Sequence, residues 1–546
     1  MINWGLVLAN SIWIGGAAWI LAAVSYAAYR GGRRLRANTG LYLGLGLVGA
    51  GLALSAGSGL ERAVWALLGL AALGAGWQQI RAPQPGPEPP APPPQEPEAA
   101  ARAAARPPRP AIAEWLVRTE LGWLALLAPF FLFPAPERVI LLLGLPGLWL
   151  ARRRARGRFV PRSPLDGVLV LLLVMVLVSL YATFDIGFSL GKVAGLVFGI
   201  GVYYALLEWI TTRERLRWAT WAYLLAGGGL AAIGLLGTNW IAKLGILGQL
   251  SAHLPTVFHG LPGAEQGFNP NEVAGALLWV VPLQLAVGVW SPTARGPGRR
   301  GAWGAYLVLV LVTILAVGTL LITQSRSALL GAAVGGGLLI WLAWPRGRLI
   351  LGAGLLAGLA LALYLGPQTL IQKYIDVADP QYGTAKQTLS IESRPEIWLR
   401  AIYGIEDFPV TGMGMNAFRR VRLVMYPSSN PDINIDLGHA HNHLLQAAVD
   451  LGLPGLIAYL AIWLVSGALV LATWRRAADP GTRALAAGAG AALAASFVYG
   501  MTDTVALGAK PGVCFWVLLA LIVAMWRQTV TPAPGPGEAA AARELP

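Results

Sequence analysis

Cysteine is all but absent: Cys514 is the single one in 546 residues, and it lies inside an apolar run. An intramolecular disulfide framework is thereby excluded, and a cysteine metal site has too few ligands to form. Charge is scarce as well, with 12% Asp, Glu, Lys and Arg against 56% hydrophobic residues and a mean hydropathy of +0.59. A soluble globular chain does not tolerate that balance, whereas apolar stretches recurring near ~20 residues are what a hydrocarbon core demands of each crossing. Acids number 26 and basic residues 41, for a net charge of +15. The basic residues fall in short clusters between apolar runs, which marks membrane topology and argues against a nucleic-acid partner.

What is present is therefore an all-α, polytopic membrane protein with about fifteen expected spans. The first three fall near 4–29, 41–58 and 62–80, giving an N-terminal membrane module over 1–80. The opening run, Trp4 to Tyr29, lacks a basic leader and is long for a signal peptide, so it reads as a retained helix. A Pro/Ala-rich linker over 81–111 cannot build a core. Roughly twelve further spans occupy 112–527, and a Pro/Ala/Glu tail over 528–546 reads as disordered.

Arginine clusters set the expected orientation. Arg33, Arg34 and Arg36, the linker arginines, Arg152 to Arg158, Arg213 to Arg217, Arg295 to Arg300, Arg346 and Arg348, Arg475 to Arg483 and Arg527 mark every second loop. Lys and Arg stay preferentially on the cytoplasmic side, so the N-terminus is expected outside and the linker and C-terminus inside. The two longest polar loops, about 241–270 and 368–438, then face outward. Several cations break the pattern. Arg326, in Gln-Ser-Arg-Ser, stands at the outer end of a span, and Arg394, Arg400, Arg419, Arg420 and Arg422 share the second outer loop. Cations gathered on the outer face suggest an anionic ligand.

Three of the five histidines, His439, His441 and His443, crowd into Gly-His-Ala-His-Asn-His-Leu-Leu-Gln where that loop returns to the bilayer. Titratable groups at a membrane boundary point to function. Asn442 is suited to cap the helix that follows, Gly452 to end its first segment and Pro454 to begin the next. His441 then precedes a helix N-terminus, whose positive dipole end disfavours imidazolium and leaves a neutral base. Two other readings stand beside this one. The imidazole serves only local hydrogen bonding at the interface, or the three histidines bind a metal with Asp436 or Asp450. Arg326 is equally suited to snorkelling or an ion pair, Arg394 has Glu392 and Glu396 as neighbours, and Asn271 reads as the cap of the span beginning near Val273.

Together these segments resemble the O-antigen ligase and polymerase superfamily of bacterial membrane glycosyltransferases. The resemblance rests on Gly267-Phe-Asn-Pro-Asn-Glu-Val-Ala274, Ser325-Arg-Ser-Ala-Leu-Leu-Gly331, Ser393-Arg-Pro-Glu-Ile-Trp398, Phe408-Pro-Val-Thr-Gly-Met-Gly-Met-Asn-Ala-Phe418, and His439 to Gln446 followed by Gly452 and Gly455. It covers about 112–527. It implies a GT-C-like core of twelve helices with a large outer loop before the tenth, the first three spans being additional. It also implies transfer or polymerisation of glycan from a polyprenyl-pyrophosphate carrier, such as undecaprenyl pyrophosphate, to a glycan, lipid or protein acceptor, with inversion and with neither metal nor nucleotide sugar. On that likeness His441 is the catalytic base, and Arg326, Arg394, Asn271, Asn442, Arg400 and His439 bind substrate. One departure stands out: the family often carries an arginine just upstream of the segment matching Gly267–Ala274, and here the stretch reads His259-Gly-Leu-Pro-Gly-Ala-Glu-Gln. Lys243, His253 and His259 are the available substitutes. The alternative from another class is a transporter or flippase of lipid-linked saccharides, in which charged residues would line a path instead of gathering at one face.

Overall fold

The computed structural model describes residues 4–29, 39–55, 66, 111–240, 245–260, 264–290, 300–365, 394–428, 434 and 436–530. These residues are helical almost throughout, and a single bridge between Thr238 and Phe268 is the β-type pairing among them. Eight of the described helices are long and apolar enough to cross a membrane. A ninth span results if the pair Ala111–Arg118 and Glu120–Leu132, bent by 68°, counts as one. The linker as far as residue 110, the tail from residue 531 and all of the expected third span but Ala66 lie outside the described residues, whereas 528–530, expected in the disordered tail, continue the last helix.

The chain divides into two compact units: Met1–Phe131 with Ala135–Val170, and Leu132–Pro134 with Leu171–Pro546. In the first, α1 (Trp4–Tyr29) and α2 (Thr39–Ser55) pack through glycines. A Cβ on Gly16 would lie 2.7 Å from the Gly44 carbonyl oxygen, and one on Gly51 2.8 Å from that of Ala9. Small residues let the two backbones approach, the packing mode available where apolar surface alone gives no drive to associate. The same unit holds α3 (Ala111–Arg118), α4 (Glu120–Leu132) and α5 (Gly144–Arg156). Arg152, expected as one member of a basic topology cluster, is instead fully buried. It pairs with Glu120 and donates through Nη1 to the Phe159 carbonyl at 2.8 Å. A buried guanidinium requires such compensation, which its neighbours on the exposed helix face do not.

After α6 (Asp166–Ala182), the second unit alternates direction with each crossing: α7 (Ile186–Trp209), α8 (Arg213–Gly237), the short α9 (Gly245–Ala252), then α10 (Pro270–Leu277) and α11 (Val281–Trp290), which form one span. Next come α12 (Arg300–Ile322), α13 (Arg326–Ala343) and α14 (Pro345–Leu365). Two loop helices, α15 (Arg394–Asp407) and α16 (Phe418–Met425), precede α17 (His443–Arg476), α18 (Pro480–Gly500) and α19 (Val513–Val530). Contacts fix which ends lie together. Asn442 reaches Met501, Asn271 reaches Asp503 and Thr502 reaches Ser327 at one end. Arg527 and Gln528 reach Leu207 and Thr212 at the other. The starts of α10, α13 and α17 and the end of α18 therefore share one end of this unit. Arg213, Arg475 and Arg527 share the opposite one.

Helix α17 is broken at Gly452, where φ is 69° and ψ 178°. That backbone region is open essentially to glycine alone. The break admits the loop before α16: Met413 N donates to the Val449 carbonyl at 2.7 Å and Leu453 N to that of Pro409 at 2.7 Å. The carbonyls and amides that the interrupted helix releases are thus satisfied by backbone from another segment, the condition for irregular chain at membrane depth. Gly452→Ala combines a forbidden φ with a Cβ 2.2 Å from the Val410 carbonyl oxygen. It is expected to destabilise the protein by roughly 2 kcal/mol or more, read as a lowered thermal midpoint in detergent. Gly467→Ala, in the same helix with nothing within 4 Å, should leave the midpoint unchanged or raise it.

Candidate active site

Residues 438–445 form a tightly specified turn into α17. Asn442 is its N-cap, accepting at Oδ1 from Leu444 N at 2.9 Å and Leu445 N at 3.1 Å, as the sequence predicts. Its Nδ2 donates to the Met501 carbonyl at 3.0 Å and so ties the turn to the end of α18. Ala440 N donates to the side chain of Gln446 at 2.7 Å, and His441 N to Nδ1 of His439 at 3.2 Å. These bonds hold His441 at a φ of 51°. A non-glycine residue adopts that left-handed value only when its surroundings over-determine it.

At the centre lies Asp503, 1% exposed, in the segment between α18 and α19. Its Oδ1 is 3.3 Å from Nδ1 of His441 and 3.7 Å from Nε2 of His439. Its Oδ2 accepts from Nδ2 of Asn271 at 3.0 Å and lies 3.6 Å from Nη2 of Arg394. Thr504 N donates to Oδ1 at 2.9 Å. Four sequence-predicted residues, His439, His441, Asn271 and Arg394, therefore converge on one carboxylate that the sequence reading did not single out. Asn442 adjoins them through Met501. Arg326 opens α13, and the next residue, Ser327, bonds Thr502 beside Asp503 at 2.9 Å. Arg400 is engaged elsewhere, with Glu396 at 2.8 Å and the Pro427 carbonyl at 3.4 Å.

One expectation and one alternative reading change. Asn271 is not the helix cap: Asn269 is, accepting from Asn271 N at 2.9 Å. Pro270 has no N–H and suits the first helical position, which shifts the cap one residue upstream and frees the Asn271 side chain to bond Asp503. Nor do the three histidines converge with Asp436 or Asp450. His443 points into a ring cluster of Tyr459, Trp463 and Phe497, with Nδ1 3.0 Å from the Tyr459 hydroxyl. Asp436 pairs with Arg419, and Asp450 accepts from Asn416 N at 3.1 Å.

The electrostatics follow from this packing. Burial alone would raise the Asp503 carboxyl, but the contact with His441 and the nearby His441, His439 and Arg394 outweigh it and hold the group well below the usual carboxylate range. Burial pushes the His439 imidazole down to about 3, with His441 adding to the effect, Asp503 opposing it, and Lys192 and Arg394 adding again. A neutral His439 that accepts at Nδ1 carries its proton on Nε2, toward Asp503. Its lone pair is thus committed to the His441 backbone. For His441 the carboxylate faces Nδ1 and favours the proton there, leaving Nε2 with a lone pair. The 3.3 Å contact is not aligned as a hydrogen bond, and Nδ1 of His441, like Nε of Arg394, is buried without a hydrogen-bond partner among the described residues.

His439, His441 and Asp503 each offer a ligand atom within 4.8 Å of the others, a spacing that could hold a metal ion. The Arg394 guanidinium beside the same carboxylate is a fixed positive charge that competes with such an ion. The starts of α10, α13, α15 and α17 supply additional positive potential at this end. Ser325, ahead of α13, makes no capping bond, and its hydroxyl is buried without a hydrogen-bond partner among the described residues. Exposed helix donors beside arginine are the ordinary makings of an anion site.

Because the native His439 resists protonation that the unfolded chain accepts, its contribution to stability is complete above pH 6.5 and declines as pH falls toward about 3. The thermal midpoint is expected to fall with acidification from pH 6.5 to about pH 5.5, where ordinary carboxylates remain largely ionised. His439→Gln should make that decline shallower.

Comparison with known families assigns residues 309–460 to the family described as O-Antigen ligase. Comparison with curated proteins gives no match. The matched stretch runs from α12 through Arg326, Arg394, the histidine turn and the Gly452 break, while Asn271 and Asp503 lie beyond its ends. By its apolar helices and this match, the protein is a multi-pass membrane protein that carries an O-antigen ligase family domain at residues 309–460.

Proposed function

We propose that the membrane core over 112–527 is a glycosyltransferase acting on polyprenyl-pyrophosphate-linked glycan at the outer face of the cytoplasmic membrane, as a polymerase or ligase. The family implies a glycosyltransferase-type enzyme with lipid-linked glycan substrates. The observation that carries the reading is the convergence of His441, His439, Arg394 and Asn271 on the buried Asp503. The orientation follows from the basic loops at the opposite end of the unit. The wider architecture is a twelve-helix core over 112–527, joined to three N-terminal helices by a cytoplasmic linker.

His441 Nε2 takes the proton of the acceptor hydroxyl as its oxygen attacks the anomeric carbon. The bond from that carbon to the diphosphate oxygen breaks, its electron pair leaves with the lipid diphosphate, and the anomeric centre inverts. Asp503 orients the imidazole and stabilises the imidazolium formed. A diphosphate leaving group needs cations more than it needs a proton. Arg326 and Arg394 supply permanent charge with bidentate geometry, while Asn271, Asn442 and His439 hold the surrounding turns.

Reconstitution with a polyprenyl-pyrophosphate glycan and candidate acceptors tests the proposal. His441→Ala and Arg326→Ala should each lower transfer by about 10²-fold or more, and Asp503→Asn by a comparable factor with protein yield retained. Equal product from wild type and His441→Ala would refute it. The metal reading makes the opposite forecast for chelation: EDTA should leave transfer unchanged if Arg394 holds the carboxylate, and should abolish it if an ion bridges His439, His441 and Asp503.

A further inference from the structure

The segment upstream of Gly267 lacks an arginine, and the substitutes visible in sequence do not stand in for it. His253 and His259 are exposed, with their Nδ1 atoms on the carbonyls of Gln249 at 2.7 Å and Thr256 at 3.3 Å. Lys243 lies outside the described residues. A different cation stands beside the site. Lys192 occupies the second turn of α7, four residues after Phe188, whose carbonyl accepts from Nδ2 of Asn416 at 3.1 Å. Asn416 N in turn bonds Asp450. On another side, the segment that carries Asp503 runs directly across the Lys192 backbone. A Cβ on Gly508 would lie 1.8 Å from the Lys192 carbonyl oxygen, so only glycine permits this approach.

Lys192 is therefore held between the 412–417 loop and the 503–510 segment, the two stretches that flank the histidine turn. It is half-buried and makes no hydrogen bond or ion pair among the described residues. Its charge acts on His439, on Asp450 and on Lys510. An ammonium withdrawn from water without a counter-ion is costly, and a second ammonium within its field adds to the cost. An anion placed there relieves Lys192, because Asp450 is engaged by Asn416 and Asp503 by Asn271, Thr504 and Arg394, while the charges of Glu272 and Glu265 act on Lys510.

We propose that Lys192 binds the second phosphate of the donor's diphosphate, completing from α7 the cationic clamp that Arg326 and Arg394 begin. This deepens the transferase reading and rests on it for the identity of the anion. Lysine is a point charge with rotatable donors, suited to a phosphate whose position shifts as the carrier departs. The contact belongs to the diphosphate and not to the glycan, so it should act on donor binding more than on turnover.

The test is made on full-length protein in phosphatidylcholine vesicles, with wild type, Lys192→Gln and Lys192→Arg. The glutamine variant is expected to raise the donor KM about 10-fold or more, with a smaller change in kcat, and the arginine variant to restore most of the loss. Polyprenyl pyrophosphate without glycan should inhibit wild type more strongly than Lys192→Gln by a similar factor. Polyprenyl monophosphate should inhibit the two alike. An unchanged donor KM in Lys192→Gln overturns the assignment while wild-type transfer leaves the enzyme reading intact. An arginine variant as defective as the glutamine one makes the role structural and overturns it too. A defect that appears only when anionic phosphatidylglycerol is added assigns the lysine to a lipid headgroup instead. If wild type transfers nothing yet binds polyprenyl pyrophosphate in a Lys192-dependent way, the contact stands and the transferase reading falls.

Discussion

A single buried carboxylate organises this end of the protein. Asp503 is removed from water, and an ionised acid so placed persists only if donors and positive charge replace its hydration. The replacements come from four separate stretches of chain: Asn271 at the start of α10, Arg394 at the start of α15, the imidazoles ahead of α17, and the Thr504 amide beside it. None is a sequence neighbour of another apart from Asp503 and Thr504. The carboxylate thus works as a cross-link whose cost of burial is offset only when all four segments are in register. That requirement couples the geometry of His441 to the packing of the helix bundle.

Around that centre the backbone departs from helix repeatedly, and each departure is satisfied locally. Gly452 breaks α17, and the loop containing Gly412 and Gly414 fills the break with its own amides. Asn416, at a φ of 67°, spends its backbone N–H on Asp450 and its side chain on the Phe188 carbonyl. Left-handed residues at 412, 414, 416 and 441 are consistent with a site that needs exact placement of a few groups more than it needs regular structure. Rigid spans carry the irregular segments, so strain in the loops is held by packing that does not itself touch the site.

Much of this was legible in the sequence, and the misses share a cause. The apolar runs announced a helical membrane protein, and Asn442, Gly452 and Pro454 announced a capped, broken helix, because those signals are local: one residue, one backbone geometry. Asn271 failed as a cap because Pro270, three residues before the expected start at Val273, decides where the helix begins. Asp503 left no local mark. It lies 62 positions beyond His441 in Tyr-Gly-Met-Thr-Asp-Thr, and only the antiparallel return of α18 brings it to the histidines. The usable signal was its rarity, an acid at the end of a span in a chain poor in charge. Arg152 misled for the converse reason, since a run of arginines reads as topology whether or not one member turns inward to Glu120.

A carboxylate at the heart of a site read as anion-binding looks self-defeating until the surrounding charge is counted by geometry. Asp503 directs Oδ1 to the histidines and Oδ2 to Asn271 and Arg394, so its negative charge is consumed by groups that also border the site. What remains unspent is positive: Nε of Arg394 without a partner among the described residues, the uncapped helix start at α13, and the ammonium of Lys192. The carboxylate therefore fixes cations and imidazoles in place without repelling what they would bind. It also separates two roles that identical imidazoles would otherwise share. His439 is committed by its Nδ1 to the His441 backbone, and in the proposed reaction His441 would keep Nε2 for a substrate proton, so that one acid would assign base and brace to neighbouring rings.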